Sequence, residues 1–89
     1  MNQRHINQNN TRSRDREIAR RGQDIYDREI RTEVETSDNL GKIISIDIET
    51  GNYEIDDNLL ESSSRLQKQF PDAVIWAERI GFNAVYNVG

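Results

Sequence analysis

The spacing of apolar residues along the first third of the chain predicts an amphipathic helix over residues 15–35. Positions on one face recur every three or four residues, namely Ile18, Gly22, Ile25, Tyr26, Ile30 and Val34. Ser13 or Asp15 is expected to cap the helix start, since short polar side chains accept hydrogen bonds from free backbone N–H groups. Gly22 either weakens the helix or marks a place where another segment approaches it closely.

Apolar and polar residues alternate between residues 41 and 55, which predicts a β-hairpin. One face carries Ile44, Ile46 and Ile48, and the other, expected to face solvent, carries Ser45, Asp47 and Glu49. We expect the turn at residues 49–52, where Gly51 and Asn52 tolerate positive φ. Tyr53 and Ile55 return on the second strand.

A second helix is expected from a cap at Asp56 or Asp57 to about Gln69, and Pro71 ends it. Its apolar stripe is formed by Leu59, Ser63, Leu66 and Phe70, broadened by Leu60. Two β-rich runs follow over residues 73–80 and 84–88. Gly81 between them predicts a second hairpin.

The order of elements predicts an α+β fold in which the two hairpins form a four-stranded antiparallel sheet. The second helix is expected to pack on one face of that sheet. The first helix either covers the same sheet or is shared with a partner. Residues 1–14 hold only two apolar side chains and are expected to form a disordered basic arm, with residues 15–89 forming one domain.

Composition narrows the class of protein. The chain has 89 residues, which suits a single domain, and no cysteine, which excludes disulfides, thiolate metal sites and thiol nucleophiles. No run of apolar residues resembles a signal peptide or a membrane span. We therefore expect a soluble, cytoplasmic protein without a membrane partner.

The net charge of −4 conceals an asymmetry. Residues 1–21 hold six arginines and two carboxylates, a net charge of +4, and the remaining residues carry −8. A basic segment on an acidic body can contact nucleic acid, an acidic protein, or another copy of the same body. The candidate nucleic-acid contacts are Arg12, Arg14, Arg16, Arg20 and Arg21.

Candidate catalytic groups are few. Residues 46–50 resemble the first motif of DEDD-type exonucleases, in which an Asp and a Glu two residues apart bind metal. That family needs two further acidic motifs on a much larger domain, so we reject the nuclease hypothesis. His5, the sole histidine, lies in the expected arm and cannot act as a fixed general base. We expect no enzymatic activity and no cofactor, with weak cation binding by the hairpin carboxylates left open.

Three segments resemble a family of small bacterial proteins for which no activity is established. They are residues 17–26, residues 41–56 and residues 71–89, so the resemblance covers the chain from about residue 15. It implies an α+β plan similar to that of antitoxin-like partners of toxin or protease genes. It implies no cofactor and no catalytic residue.

These observations favour a protein-interaction module, antitoxin-like or adaptor-like, that docks on a larger protein. The candidate partner-binding residues are the apolar face of the first helix, Ile18, Ile25, Tyr26, Ile30 and Val34. A homodimer through that face stays open. The alternative function is a nucleic-acid-binding regulator that uses the arginine-rich arm.

Overall fold

A computed structural model of the chain describes the backbone of residues 2–81 and the side chains of residues 12–81. The elements are helix α1 (Asn2–Ile25), a π-helical segment (Tyr26–Ile30), helix α2 (Arg31–Val34), strands β1 (Ile43–Asp47) and β2 (Tyr53–Asp56), helix α3 (Leu59–Gln69) and strand β3 (Ile75–Arg79). The first three follow one another without interruption and are called the first helix. The strands form an antiparallel sheet in the order β2-β1-β3. This confirms the α+β class and the first hairpin, whereas the fourth strand, expected over residues 84–88, lies outside the described residues.

The first helix begins at Asn2 and not at residue 15, so the backbone of residues 2–14 is helical where the sequence predicted a disordered arm. This segment holds neither glycine nor proline, so no residue in it interrupts the helical backbone. The helix ends at Val34, one residue before the predicted end. The assignment of residues 15–89 to one domain stays a prediction.

The first helix packs on the face of the sheet that the isoleucines form. Tyr26, Ile30 and Val34 are buried against Ile44 and Ile46. The apolar alternation of the hairpin therefore predicted its buried face correctly. Of the two arrangements that the sequence allowed for the first helix, the structure has the one in which it covers the chain's own sheet.

The opposite face of the sheet is covered by α3, so the prediction that Ser45 and Asp47 face solvent is wrong. Both side chains are buried, and the Ser45 hydroxyl lies 2.8 Å from the hydroxyl of Ser62 on α3. Ser62 and Leu66 are the buried positions of this helix, and the predicted stripe residue Leu59 is 54% exposed. A small polar pair occupies the contact because hydroxyl groups that bond each other can be buried at little cost.

We expect the two buried hydroxyls to differ in their effect on stability. Ser45 has no hydrogen-bond partner other than Ser62 among the described residues, whereas Ser62 also donates to the carbonyl of Leu59. Ser62→Ala should therefore lower the free energy of unfolding by about 1–2 kcal/mol, because it leaves a buried hydroxyl unpaired. Ser45→Ala should cost less, about 0.5–1 kcal/mol. Urea denaturation of both variants measures the difference, and equal losses would contradict it.

Helix α3 is capped by a different residue from the two that the sequence predicted. The side chain of Asn58, and not that of Asp56 or Asp57, accepts the hydrogen bond from Glu61 N, at 2.8 Å. Asp56 is still part of β2, and Arg65 of α3 holds its carboxylate at 2.8 Å. The cap therefore lies two residues later than the earliest predicted one.

Candidate functional site

The candidate nucleic-acid residues divide into two groups. The side chains of Arg12, Arg14 and Arg16 are exposed, and no hydrogen bond or ion pair joins them to another described side chain. Arg20 donates to both oxygens of Glu17, at 3.2 and 2.7 Å. Arg21 donates to the backbone carbonyl of Ile48, at 3.3 Å. Only the first group is presented outward without an intramolecular contact in the described part of the chain.

The spacing of the basic residues arranges part of them in a stripe. Arg12, Arg16 and Arg20 are four residues apart, which places them on one side of the helix. Gly22 packs against the sheet, and Arg20 lies about 160° round the helix from it, whereas Arg12 lies only about 80° from it, so the stripe turns gradually relative to the sheet. The exposed part of α1 thus presents guanidinium groups to solvent.

The candidate partner-binding residues lie mostly inside the molecule. Tyr26, Ile30 and Val34 are no more than 3% exposed, and Ile25 packs against the same core. Ile18 is half-buried. The apolar stripe of the first helix is therefore part of the chain's own core, and a partner could reach most of it only if the helix left the sheet.

The first helix makes a close contact with the sheet at Gly22. A Cβ atom at this position would lie 2.4–2.6 Å from three ring carbons of Trp76 on β3. The glycine is therefore required by a close contact, the second of the two explanations that the sequence allowed. The contact also makes the single tryptophan a neighbour of the first helix.

A set of charged side chains follows the helix–sheet contact. Arg31 forms ion pairs with both Asp27 and Glu35, one turn away on either side. The hydroxyl of Tyr26 donates to Glu35 Oε2 at 2.7 Å. Burial and this hydrogen bond to a carboxylate raise the pKa of Tyr26, so its hydroxyl is a fixed donor at physiological pH. These four side chains lie along the C-terminal part of the first helix and just beyond its end.

Glu78 of β3 completes this set, and sequence reasoning did not identify it. Its Oε2 atom is buried and has no hydrogen-bond partner among the described residues. Burial, followed by the nearby carboxylate of Asp27, raises the pKa of Glu78 to about 7. One signal was present in the sequence. Glu78 alternates in phase with Trp76 and Ile80 along the strand, so it shares one face with two large apolar side chains.

The hairpin end of the sheet contains a groove of about 260 Å³. It is lined by Asp47, Glu49, Thr50, Gln69, Phe70, Pro71, Asp72 and Ala73. Asp47, however, uses its carboxylate internally. It accepts hydrogen bonds from the backbone N–H groups of Glu49 and Val74 and from the Thr50 hydroxyl.

The other hairpin carboxylates do not assemble a cation site either. Glu54 and Asp56 accept hydrogen bonds from the guanidinium of Arg65. Among the described residues, no group of three or more His, Asp or Glu side chains is arranged to hold a metal ion. The weak cation site that the sequence left open therefore has no geometric support in residues 12–81.

Comparison with known proteins yields no match to any family model, curated protein or solved structure. The resemblance to small antitoxin-like proteins thus stays a prediction. Within the described residues, no helix combines the length and the apolar character needed to cross a bilayer.

Proposed function

We propose that the protein is an interaction module that presents the exposed arginine-bearing part of α1 to an acidic surface of a larger protein. The observation that carries the proposal is the exposure of Arg12, Arg14 and Arg16 on a helix whose next turns are fixed to a folded body. Such a helix reaches a partner already ordered, so less conformational entropy is lost on binding than with a flexible segment. The proposal includes no catalytic step and no cofactor.

Because the apolar stripe of the first helix is buried in the core, partner binding through the arginines is favoured over partner binding through the stripe. Tyr26, Ile30 and Val34 already contribute to the chain's own core, so using them for a partner would expose the isoleucine face of the sheet. Burying one apolar side chain contributes about 1.5–3 kcal/mol to folding stability, and a partner would have to replace this contribution for several side chains. The arginines can bind without any such rearrangement.

Charge favours a protein over a nucleic acid as the partner. Asp15 and Glu17 alternate with the arginines, and Glu17 engages Arg20 through both oxygens. The rest of the chain carries a net charge of −8, which repels the extended phosphate backbone of a nucleic acid more than it repels a confined acidic patch on a protein. An acidic patch on a protein needs fewer basic contacts than a nucleic acid does and is compatible with interspersed carboxylates.

Nucleic-acid binding is the second candidate function, and one observation favours it. The four-residue spacing of Arg12, Arg16 and Arg20 places guanidinium groups in a row along an exposed helix. A row of this kind can follow the phosphates of a groove. The binding would be electrostatic and would weaken steeply with added salt.

We expect Arg12→Gln/Arg14→Gln/Arg16→Gln to weaken partner binding at least tenfold, because it removes three outward-facing charges and leaves the core unchanged. The measurement is affinity capture from native lysate, followed by titration of the captured protein at 50 and 300 mM salt. The matched control, Arg28→Gln/Lys42→Gln/Lys68→Gln, removes the same charge from the body and should bind like the unaltered protein.

Equal binding of a stoichiometric protein partner by the arginine variant would contradict the proposed surface. Fluorescence anisotropy with labelled duplex DNA and with RNA tests the second candidate separately. Binding that follows the logarithm of salt concentration and disappears in the arginine variant would favour nucleic acid. Equal binding by the control and by the arginine variant would exclude a specific role for these arginines.

A further inference from the structure

Glu78 occupies an unusual position in the sheet. In the strand register it lies opposite Ile44, which is fully buried and in turn lies opposite Ile55 of β2. The strand neighbours of Glu78 on this face are therefore apolar. Its Oε2 atom is buried without a hydrogen-bond partner among the described residues. The positive charge of Arg31 and a hydrogen bond from Gln23 favour an ionised carboxylate here, but they offset its desolvation only in part.

The charged and polar neighbours of Glu78 come from the first helix. They are the carboxylates of Asp27 and Glu35, the guanidinium of Arg31, the Tyr26 hydroxyl and the Gln23 amide. Arg31 is ion-paired with both helix carboxylates, and the amide of Gln23 donates to Asp27 at 3.0 Å. With Glu78 ionised, three carboxylates would share one guanidinium at this contact.

The helix changes its hydrogen-bonding pattern at the same point. Residues 26–30 form a π-helical segment, and the backbone N–H of Arg31 bonds the carbonyl of Tyr26, five residues back. Such segments are rare and occur frequently at functional sites. Asp27, one of the two helix carboxylates that act on Glu78, lies within this segment, so charge repulsion would act on a part of the helix with irregular geometry.

We infer that the contact between Glu78 and the first helix is a pH-sensitive latch. With a proton on Glu78 the helix stays docked on the sheet, and when that proton passes to solvent the repulsion from Asp27 and Glu35 loosens the docking. The inference is independent of the proposed partner surface, because it concerns the first helix from Gln23 onward, whereas that surface is formed by Arg12, Arg14 and Arg16.

The direction of the effect follows from the pKa of Glu78. Its pKa is raised from 4.5 to about 7 by burial and by the neighbouring carboxylates. Between these values the docked state binds the proton and an undocked state does not. The stabilisation of the docked helix by the proton on Glu78 is therefore complete below pH 4.5, and it is lost as the pH rises to about 7. The equilibrium constant for undocking rises by up to about tenfold per pH unit in this window.

Trp76 reports on the latch directly, because its ring packs on Gly22 of the first helix and it is the only tryptophan. We expect its emission to shift to longer wavelength, and acrylamide quenching to increase, as the pH rises from 5 to 8. Glu78→Gln keeps the shape of the side chain but cannot ionise. In this variant the pH response should be lost and the urea midpoint should be nearly equal at pH 5 and pH 8.

Two matched variants separate Glu78 from other titrating groups. Glu33→Gln removes another carboxylate of the same helix and should retain the response. In the structure, Glu33 Oε1 accepts a hydrogen bond from the Tyr53 hydroxyl at 2.6 Å. His5→Asn removes the single histidine and should retain it as well. An unchanged response in Glu78→Gln, no response in the unaltered protein, or loss of the response in His5→Asn would each overturn the inference.

Discussion

We expect Gly22→Ala to lower the free energy of unfolding by about 2–3 kcal/mol, although alanine is the better helix former. Helix propensity alone would favour the substitution by about 1 kcal/mol. The added Cβ atom, however, would lie 2.4–2.6 Å from ring carbons of Trp76, well inside van der Waals contact. Either the indole must leave its position or the helix must move away from the sheet, and such overpacking typically costs 1–3 kcal/mol and sometimes more.

Urea denaturation at one pH measures the loss, and two further variants identify its cause. Ala19→Gly lies on the exposed side of the same helix and should cost about 1 kcal/mol, as propensity requires. Combining Gly22→Ala with Trp76→Leu should cost less than the sum of the single losses, because the smaller side chain leaves room for the methyl group. Additive losses would show that the clash is not what destabilises Gly22→Ala.

This glycine illustrates how far the sequence could be interpreted. Periodicity identified the helix face that packs on the sheet, because Tyr26, Ile30 and Val34 recur at helical spacing and are all buried. Periodicity left two explanations for Gly22, since the close approach involves Trp76, which is more than fifty positions away in the sequence. The hairpin was predictable for the same reason as the helix, because alternation and the glycine of its turn are local signals.

The second face of the sheet was not predictable from hydrophobicity. Ser45, Asp47 and Ser62 are polar, and a pattern of apolar residues assigns polar positions to solvent. They are buried because their hydrogen-bond partners come from other segments. Most of the candidate partner-binding stripe likewise lies in the chain's own core. An apolar stripe indicates that something covers it, but whether a partner or the chain's own sheet does so depends on tertiary packing.

The start of the first helix was missed for a different reason. Residues 2–14 hold Ile6 as their single apolar side chain, so they gave no periodic signal, and the sequence predicted disorder. Helical backbone can nevertheless continue outward from a segment that is already fixed, since the unfavourable nucleation step has been completed there. Glu78 was overlooked because one glutamate on a short strand resembles an ordinary exposed position. Only the packing of the first helix over β3 reveals that its carboxylate is buried.

We expect Asp47→Ala to lower the free energy of unfolding by about 2–4 kcal/mol. The side chain is 2% exposed, and its oxygens accept hydrogen bonds from Glu49 N, Val74 N and the Thr50 hydroxyl at 2.8–3.2 Å. These bonds close the hairpin turn and tie it to the segment that leads into β3. Hydrogen bonds to a charged group contribute about 1.5–3 kcal/mol each, and losing them together also leaves donors unpaired.

Two substitutions at and beside Asp47 distinguish this structural role from metal binding. Asp47→Asn keeps the oxygen that accepts both backbone N–H groups, so it should cost clearly less than Asp47→Ala in urea denaturation. Glu49→Ala alters an exposed side chain and should change stability by no more than about 0.5 kcal/mol. If the two carboxylates instead shared a cation, Mn²⁺ would raise the urea midpoint of the unaltered protein. Glu49→Ala and Asp47→Ala would then both abolish that increase, whereas we expect no increase to be present.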